Sequence, residues 1–280
     1  MNNKIGILLL CSMLIFGTLL SLDLNHANAI KQVQVNEKTL VLYDAASGHI
    51  PSTQLMNFID FPPGAATPAY ENAVTILDTT RSGSETYAGW VSNAGSTSGF
   101  PLLDRVAGFH ANFSAQVENE DHSNHNRAGF SIIILGNDAR GIESAFWANE
   151  IWAQNDEATG ELFTHGEAVS FDTTAGLISY QLTIINDTYT LTANGLTILS
   201  GPLRDYSIFE GFPDPYQTPN FLFIGDNTTS AQARIRLGYV SVTGLEPTPP
   251  TNTPSPIFPT VSPTSTIEDF ELCPLLRFFQ

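Results

Sequence analysis

Short apolar runs, bounded by Gly, Asn, Asp or Pro, recur along the middle of the chain. They are rich in β-branched and aromatic residues, which favour strands. No window shows a convincing period of 3.6 residues, the period that would indicate an amphipathic helix. The pattern therefore predicts an all-β domain, with strands at Phe130–Leu135, Tyr180–Ile185, Thr188–Ala193, Leu196–Ser200, Phe221–Ile224 and Arg234–Val242.

The sharpest local pattern is a three-strand meander from Tyr180 to Gly201. Asn186-Asp187 separates the first two strands, and Asn194-Gly195 separates the next two. Asn-Gly favours a type I′ turn because both residues tolerate positive φ. Within the strands, apolar residues alternate with hydroxyl and amide residues. The pattern predicts a half-buried antiparallel sheet with one apolar face and one hydroxyl-rich face.

Residues 1–29 have the order of a secretory signal peptide. Lys4 precedes an apolar run from Ile5 to Leu20, and a more polar stretch ends in Ala27-Asn28-Ala29. We expect cleavage after Ala29 and a secreted or cell-surface protein. The alternative is an uncleaved anchor, although the apolar run is a little shorter than the ~20 residues that span a bilayer. Membrane contact is expected only through this segment, if it stays uncleaved.

The other end of the chain reads as a linker and a tail. Residues 246–266 (EPTPPTNTPSPIFPTVSPTST) are dense in proline, which fixes φ and removes backbone donors, so an extended Pro/Thr/Ser-rich stalk without packed structure is expected. Residues 267–280 form a short apolar tail that is too short to span a bilayer. Residues 30–245 have the size of one β-sandwich domain.

Composition excludes several classes of protein. The chain is 42% hydrophobic and 14% charged, which is typical of a folded core. Acidic residues outnumber basic residues 28 to 11, and a net charge of −17 repels phosphate backbones, so no nucleic acid partner is expected. Cys11 lies in the signal segment, which leaves Cys273 alone in the mature chain and excludes an internal disulfide or a cysteine-based zinc site.

The meander and the segments around it resemble a known group of domains. The resemblance rests on YQLTIINDTYTLTANGLTILSG (180–201), FLFIGD (221–226), the strand at 234–242, RAGF (127–130) and FWANEIWAQ (146–154). Over about residues 40–245, the chain is similar to the concanavalin A-like lectin/glucanase (laminin G-like) jelly rolls of bacterial exported, surface-sorted proteins. The resemblance implies an antiparallel β-sandwich. It implies little about activity, because this superfold carries lectins, adhesion modules and glycosidases.

A catalytic pair of carboxylates is not apparent. Glycosidases need two carboxylates across the scissile bond, and retaining glucanases of the resembled fold carry them in a Glu-x-Asp-x-x-Glu motif, which does not occur here. Glu143 and Glu150 are the nearest acidic pair on a predicted strand. Seven residues apart, they would face opposite sides of an unbroken strand, unless a bulge or turn intervenes. The sequence favours a non-catalytic module, and no catalytic residue is assigned.

The best candidate ligand site lies around the second and third tryptophans of the chain. An indole face beside amide and carboxylate groups suits a sugar ring. The alternative is that both tryptophans are packing residues, as we expect for Trp90 in the core, because aromatic residues are common in strands. The predicted ligand-binding residues are Trp147, Glu150, Trp152, Gln154, His165 and Glu167.

An acidic loop with two histidines precedes Arg127. Its oxygen ligands suit calcium, and its two histidines, three residues apart, are spaced to reach one transition metal. A charged hairpin tip is the alternative interpretation. Asp226-Asn227 is a second pair of calcium-type ligands, although turns also use these residues. Calcium is left open, and no cofactor or metal is assigned. The loop residues are Glu118, Glu120, Asp121, His122, Asn124, His125 and Asn126.

Together these features predict an exported, non-catalytic β-sandwich module that binds glycans or another cell-surface or extracellular component. The first alternative is a glycoside hydrolase or lyase of the same fold that uses Glu143, Glu150 or Glu167. The second alternative is a structural sheath or matrix protein without a small ligand.

Overall fold

The computed structural model describes residues 36–80 and 86–247. The expected signal peptide (1–29) and tail (267–280), with Cys11 and Cys273, lie outside the described residues, as does the expected linker from residue 248 onward.

Strands dominate the described part of the chain, with short 3-10 turns at Ala45–Ser47 and Pro51–Thr53. The strands are β1 (Glu37–Asp44), β2 (Asn57–Phe61), β3 (Ala69–Glu71), β4 (Val74–Asp78), β5 (Tyr87–Asn93), β6 (Phe109–His122), β7 (Ser131–Leu135), β8 (Gly141–Phe146), β9 (Glu150–Gln154), β10 (His165–Ser170), β11 (Ile178–Ile185), β12 (Thr188–Ala193), β13 (Leu196–Pro202), β14 (Phe221–Asp226) and β15 (Ala231–Leu245).

The strands form two antiparallel sheets. Sheet A has the order β13-β12-β11-β6-β15-β4-β3, and β1 pairs with β15 as well. Sheet B has the order β10-β9-β8-β7-β14-β5-β2. The chain passes repeatedly from one sheet to the other, as from β5 to β6 to β7 and from β14 to β15. The predicted all-β antiparallel sandwich is confirmed.

The main core lies between the two sheets. Alternation along β6 turns Phe109, Ala111, Phe113, Ala115 and Val117 inward, where all are buried. Trp90 on β5 is fully buried in the same core, as the sequence predicted.

The predicted meander is present with the predicted turn. β11, β12 and β13 pair in sequence, and Asn194 and Gly195 have φ values of 49° and 81°. Both values are positive, as a type I′ turn requires. Tyr180, Leu182 and Ile184 of β11 face the core, as do the apolar side chains of β12, while Gln181, Ile185 and the threonines face outward. The alternating pattern thus identified both faces of this sheet.

The outer face of sheet B is also covered. Ile132 and Ile134 of β7 face the main core, whereas Ile133 and Leu135 belong to a second apolar cluster on the opposite face. The chain segments 155–164 and 203–220 contribute four of its rings: Phe163, Tyr206, Phe209 and Tyr216. Residues of both segments also line the cleft that is described below.

Candidate ligand-binding site

Five of the six predicted ligand-binding residues come together on the outer face of sheet B. Glu150, Trp152 and Gln154 alternate along β9, and His165 begins β10 directly opposite Gln154. Trp147 follows β8 and packs edge-on against Trp152, with ring centroids 4.6 Å apart.

The rings in this region form a closed histidine–tryptophan cluster, made of His122, His125, Trp147, Trp152 and His165. His165 stacks on Trp152 at 4.0 Å, and His122 stacks on Trp147 at 4.0 Å. Trp152 is 0% exposed and Trp147 is 7% exposed. A sugar needs an open indole face to stack on, and here neighbouring rings cover both indoles. Both tryptophans pack within this cluster.

His165 is held in a neutral form within this cluster. Burial lowers its pKa to about 4, and the neighbouring imidazoles of His125 and His122 contribute in the same direction. Its Nδ1 lies 3.1 Å from Oδ1 of Asn126, and its Nε2 lies 3.9 Å from Oε2 of Glu150. The cluster thus joins the loop before β7 to the β9–β10 edge of sheet B.

Glu167, the sixth predicted residue, lies apart from the other five. The β9–β10 register shifts between His165 and Ala168, and Glu167 reaches towards β13. It accepts hydrogen bonds from Nη2 of Arg204 at 2.6 Å and from the Tyr189 hydroxyl at 3.0 Å. Arg204 is fully buried. Glu167 therefore neutralises the charge of a buried guanidinium.

Glu143 and Glu150 share the outer face, unlike residues of an unbroken strand at that spacing. The chain turns between β8 and β9, so the two carboxylates stand on different strands. Glu143 is 1% exposed and accepts hydrogen bonds from the Tyr216 hydroxyl and, at 2.9 Å, from Nδ2 of Asn227. Its backbone N–H donates to the Tyr206 hydroxyl at 3.2 Å. Glu143 thereby ties the 203–220 segment to sheet B.

A separate cleft opens beside Glu143, which we call the sheet B cleft. Its enclosed part measures about 60 Å³, room for a few water molecules. The polar residues that line it are Tyr87, Arg127, Asp226 and Asn227. The apolar lining consists of Ile59, Ala88, Ile133, Phe163, Phe209, Pro213, Pro215, Tyr216 and Phe223.

Two exposed aromatic rings lie near the mouth of this cleft. Phe61, at the end of β2, is 48% exposed and Phe212 is 77% exposed, and their rings meet edge-to-face at 5.8 Å. Phe61 pairs with Tyr87, and Pro213 directly follows Phe212, so both rings adjoin lining residues. Sequence reasoning missed this site. The aromatic–proline steps at Phe61-Pro62 and Phe212-Pro213 do not single it out, because Phe100-Pro101 has the same step and Phe100 is buried.

The outer face of sheet A carries a wider, shallower depression of about 420 Å³. Its amide groups already bond to one another, since Nε2 of Gln181 donates to Oδ1 of Asn112 at 2.9 Å. The Phe113 and Tyr180 side chains beneath it face the core. This surface therefore presents hydroxyls and amides, with the partly exposed Tyr239 at its edge.

The predicted acidic loop is in part a strand, because Glu118, Glu120, Asp121 and His122 lie at the end of β6. Several of its groups are used in internal contacts. Glu118 pairs with Arg234 at 2.6 Å, and Oε2 of Glu120 lies 2.6 Å from Nδ1 of His122. Asp226 is buried, which raises its pKa well above the usual value, and it accepts from the Thr79 hydroxyl at 2.6 Å. Within residues 36–80 and 86–247, no group of three or more His, Cys, Asp or Glu side chains is arranged to hold a metal ion.

No protein-family model matches the chain, and no curated relative matches it. Solved structures do match. A carbohydrate esterase from Shiga toxin-encoding bacteriophage phi24B is 13% identical with a TM-score of 0.48, over 74% of this chain and 100% of that chain. Alginate lyase A1-II′, a member of polysaccharide lyase family 7, is 13% identical with a TM-score of 0.42, over 74% and 94%. An endo-1,3-β-glucanase from Streptomyces sioyaensis is 14% identical with a TM-score of 0.38, over 63% and 77%.

The identities and TM-scores of these matches are low, and they say nothing about the activity of this chain.

Across the described ranges, no helix has both the length and the apolar character needed to cross a membrane.

Proposed function

We propose that this protein is an exported, non-catalytic β-sandwich module that binds a glycan at the sheet B cleft. The observation that carries the proposal is the exposed Phe61–Phe212 pair beside a cleft lined by polar groups. Sugar rings bind through apolar C–H faces on aromatic rings and through hydroxyls on polar groups. The sheet B cleft offers both kinds of surface within one site.

The carboxylates of the enzyme alternative have other contacts, which supports a non-catalytic role. Glu143 is engaged by Tyr216 and Asn227, and Glu167 is engaged by Arg204 and Tyr189. Glu150 adjoins His165 in the histidine–tryptophan cluster. A glycosidase needs two carboxylates free to face the same scissile bond.

Export and surface display belong to the same proposal. The signal-like residues 1–29 and the Pro/Thr-rich stretch 246–266 support secretion or cell-surface display on a stalk. The partner is then a glycan or another component outside the cell.

The test is binding of the purified protein to a broad glycan and polysaccharide panel. A selective hit should weaken about two- to tenfold in Phe212→Ala, because stacking on one ring is lost. Leu196→Ala is the matched control, since Leu196 is also a highly exposed apolar side chain but lies on sheet A. Equal loss in both variants, or no hit with folded protein, would overturn the proposal.

Two further readouts use the same panel. Incubation with each bound polysaccharide should release no new chain ends, and release that disappears in Glu150→Gln would establish the enzyme alternative. Binding repeated with calcium and with a chelator tests the open metal question, because loss in chelator would assign a metal to the interaction.

A further inference from the structure

One positively charged side chain in the described part of the chain stands out because it has no carboxylate partner. All other described lysines and arginines form an ion pair within 4.0 Å: Lys38, Arg105, Arg140, Arg204, Arg234 and Arg236. Arg127 is the described residue that forms no such pair, and its buried Nη1 has no hydrogen-bond partner. In a chain of net charge −17, an unpaired arginine is unexpected.

Arg127 is nevertheless held firmly. Its Cζ lies 4.6 Å from the ring centroid of Phe163, a cation–π contact. Its backbone N–H donates to the Asn124 carbonyl at 3.2 Å, and its own carbonyl accepts from Nε1 of Trp147 at 2.8 Å. The histidine–tryptophan cluster therefore fixes the backbone from which the guanidinium reaches the cleft.

Arg127 lines the sheet B cleft, where two carboxylates lie nearby and both already accept hydrogen bonds. Asp226 accepts from the Thr79 hydroxyl and from the Thr228 N–H. Glu143 accepts from Tyr216 and Asn227, both of which line the cleft with Arg127. A buried guanidinium donor without an acceptor is costly, and an anionic group is the acceptor that it binds best.

We infer that the sheet B cleft binds the anionic group of an acidic saccharide, with Arg127 as the residue that selects it. The inference rests on the proposed function and names its ligand class. A carboxylate or sulfate substituent is small enough to enter the cleft beside Arg127. The ring itself then lies at the mouth, against Phe61 and Phe212.

Because the protein has a net negative charge, its preference for an acidic ligand depends on short-range contacts in the cleft. At long range the protein repels polyanions, so attraction has to come from direct contact with Arg127 rather than from a basic surface. Acidic polymers should consequently bind at discrete sites, in contrast to the diffuse binding of a basic protein.

The ligand-side test compares polymers that differ only in charge. Polygalacturonate should bind the purified protein at least tenfold more tightly than its carboxyl-reduced counterpart, which has the same backbone without the carboxylates. Dextran sulfate against dextran forms the second arm. A preference in the first arm alone identifies a carboxylate, and a preference in the second arm alone identifies a sulfate.

The protein-side test removes the guanidinium. Arg127→Gln should weaken acidic binding about tenfold to a hundredfold, the usual range for a charge-assisted hydrogen bond, and Arg127→Lys should restore part of it. Arg236→Gln makes the same change in net charge on sheet A and should leave binding unchanged. Thermal melting of each variant reports whether it is folded, and the ligand-side test needs no variant.

The two proposals fail in different ways. Equal affinity for charged and neutral polymers, or equal loss in Arg127→Gln and Arg236→Gln, overturns the acidic-ligand inference and leaves glycan binding standing. Absence of binding to every polymer, charged or neutral, overturns both.

Discussion

The neighbours of a side chain in this protein determine which contacts it can make. Trp152 looks in the sequence like a sugar platform, yet His165 and Trp147 lie against its ring. Glu167 looks like a ligand-site acid, yet it neutralises Arg204. A sequence specifies that an indole or a carboxylate is present, but the neighbours that close it off come from segments far away in the chain.

The neutral state of His165 predicts a stability change with pH. Its folded pKa of about 4 lies below the unfolded value of about 6.5, so the unfolded chain binds more protons between these values. The free energy of unfolding should therefore fall as pH drops from about 6.5 towards 4, and its contribution is fully present above 6.5. His165→Phe keeps a ring on Trp152 but removes the titrating imidazole. Chemical denaturation at pH 7.5 and pH 5 should therefore show a smaller loss in the free energy of unfolding than in the unsubstituted protein.

His49→Phe is the control for this experiment, because His49 is exposed. The acid-induced loss in His49→Phe should match the unsubstituted protein. An equal loss in His165→Phe would show that His165 is not the group responsible.

The Glu167–Arg204 pair predicts a stability effect without a binding effect. Glu167→Gln leaves a buried guanidinium without its countercharge, which should lower the free energy of unfolding by about 2–3 kcal/mol. Exposed Glu161→Gln should change it by less than about 0.5 kcal/mol. Glycan affinity of the folded Glu167→Gln protein should be unchanged, and a selective loss of affinity would return Glu167 to the ligand site.

Among the elements, the 203–220 segment decides the shape of the cleft. It is fixed to sheet B by the Gly141–Arg204 bridge and by the hydroxyls of Tyr206 and Tyr216. Burial, together with the nearby Glu143 carboxylate, raises the pKa of Tyr216 well above its usual value, so its hydroxyl remains protonated as a donor. The segment has no regular secondary structure over most of its length, and these few contacts hold it.

Tyr216→Phe should loosen that segment. The change leaves a buried Glu143 oxygen without its donor, at a cost of about 1–3 kcal/mol. Amide hydrogen exchange should speed up in residues 203–220 and not in the meander. Tyr70→Phe removes a hydroxyl that donates to the Ala45 carbonyl elsewhere, and it should leave exchange in 203–220 unchanged; a similar increase in both variants would contradict the proposed tie.

A glycine on β8 tests how closely β8 approaches β7. A Cβ at Gly141 would lie 1.9 Å from the Ile134 carbonyl oxygen, closer than any real contact. Gly141→Ala should therefore lower the free energy of unfolding by more than about 2 kcal/mol. Gly95→Ala, whose nearest neighbour is a side-chain oxygen at 3.2 Å, should have little effect, and comparable melting of both variants would contradict the close approach.

The elements themselves were unevenly predictable. The meander followed from period-2 alternation and from the Asn194-Gly195 turn, which are local properties. β6 has equally clear alternation over Phe109–Val117, yet it was not among the predicted strands. Neither alternation nor a turn motif predicts that residues 155–164 and 203–220 cover sheet B. That covering depends on which irregular segment folds over which face.

At the scale of the whole molecule, the two outer faces of the sandwich differ in kind. Sheet A presents hydroxyls and amides around Gln181 and Asn112, with ion pairs near Arg234. Sheet B presents aromatic rings and the unpaired Arg127. The sandwich architecture was predictable from strand patterns, but this asymmetry between faces was not, because it depends on loop placement and on ion pairs between distant segments.

The most direct test of glycan binding at the sheet B cleft is a crystal structure of the protein with the tightest oligosaccharide from the panel. We expect a sugar ring against Phe212, with its charged substituent within hydrogen-bonding distance of Arg127. A ligand seated on the sheet A depression, or against the histidine–tryptophan cluster, would contradict the account.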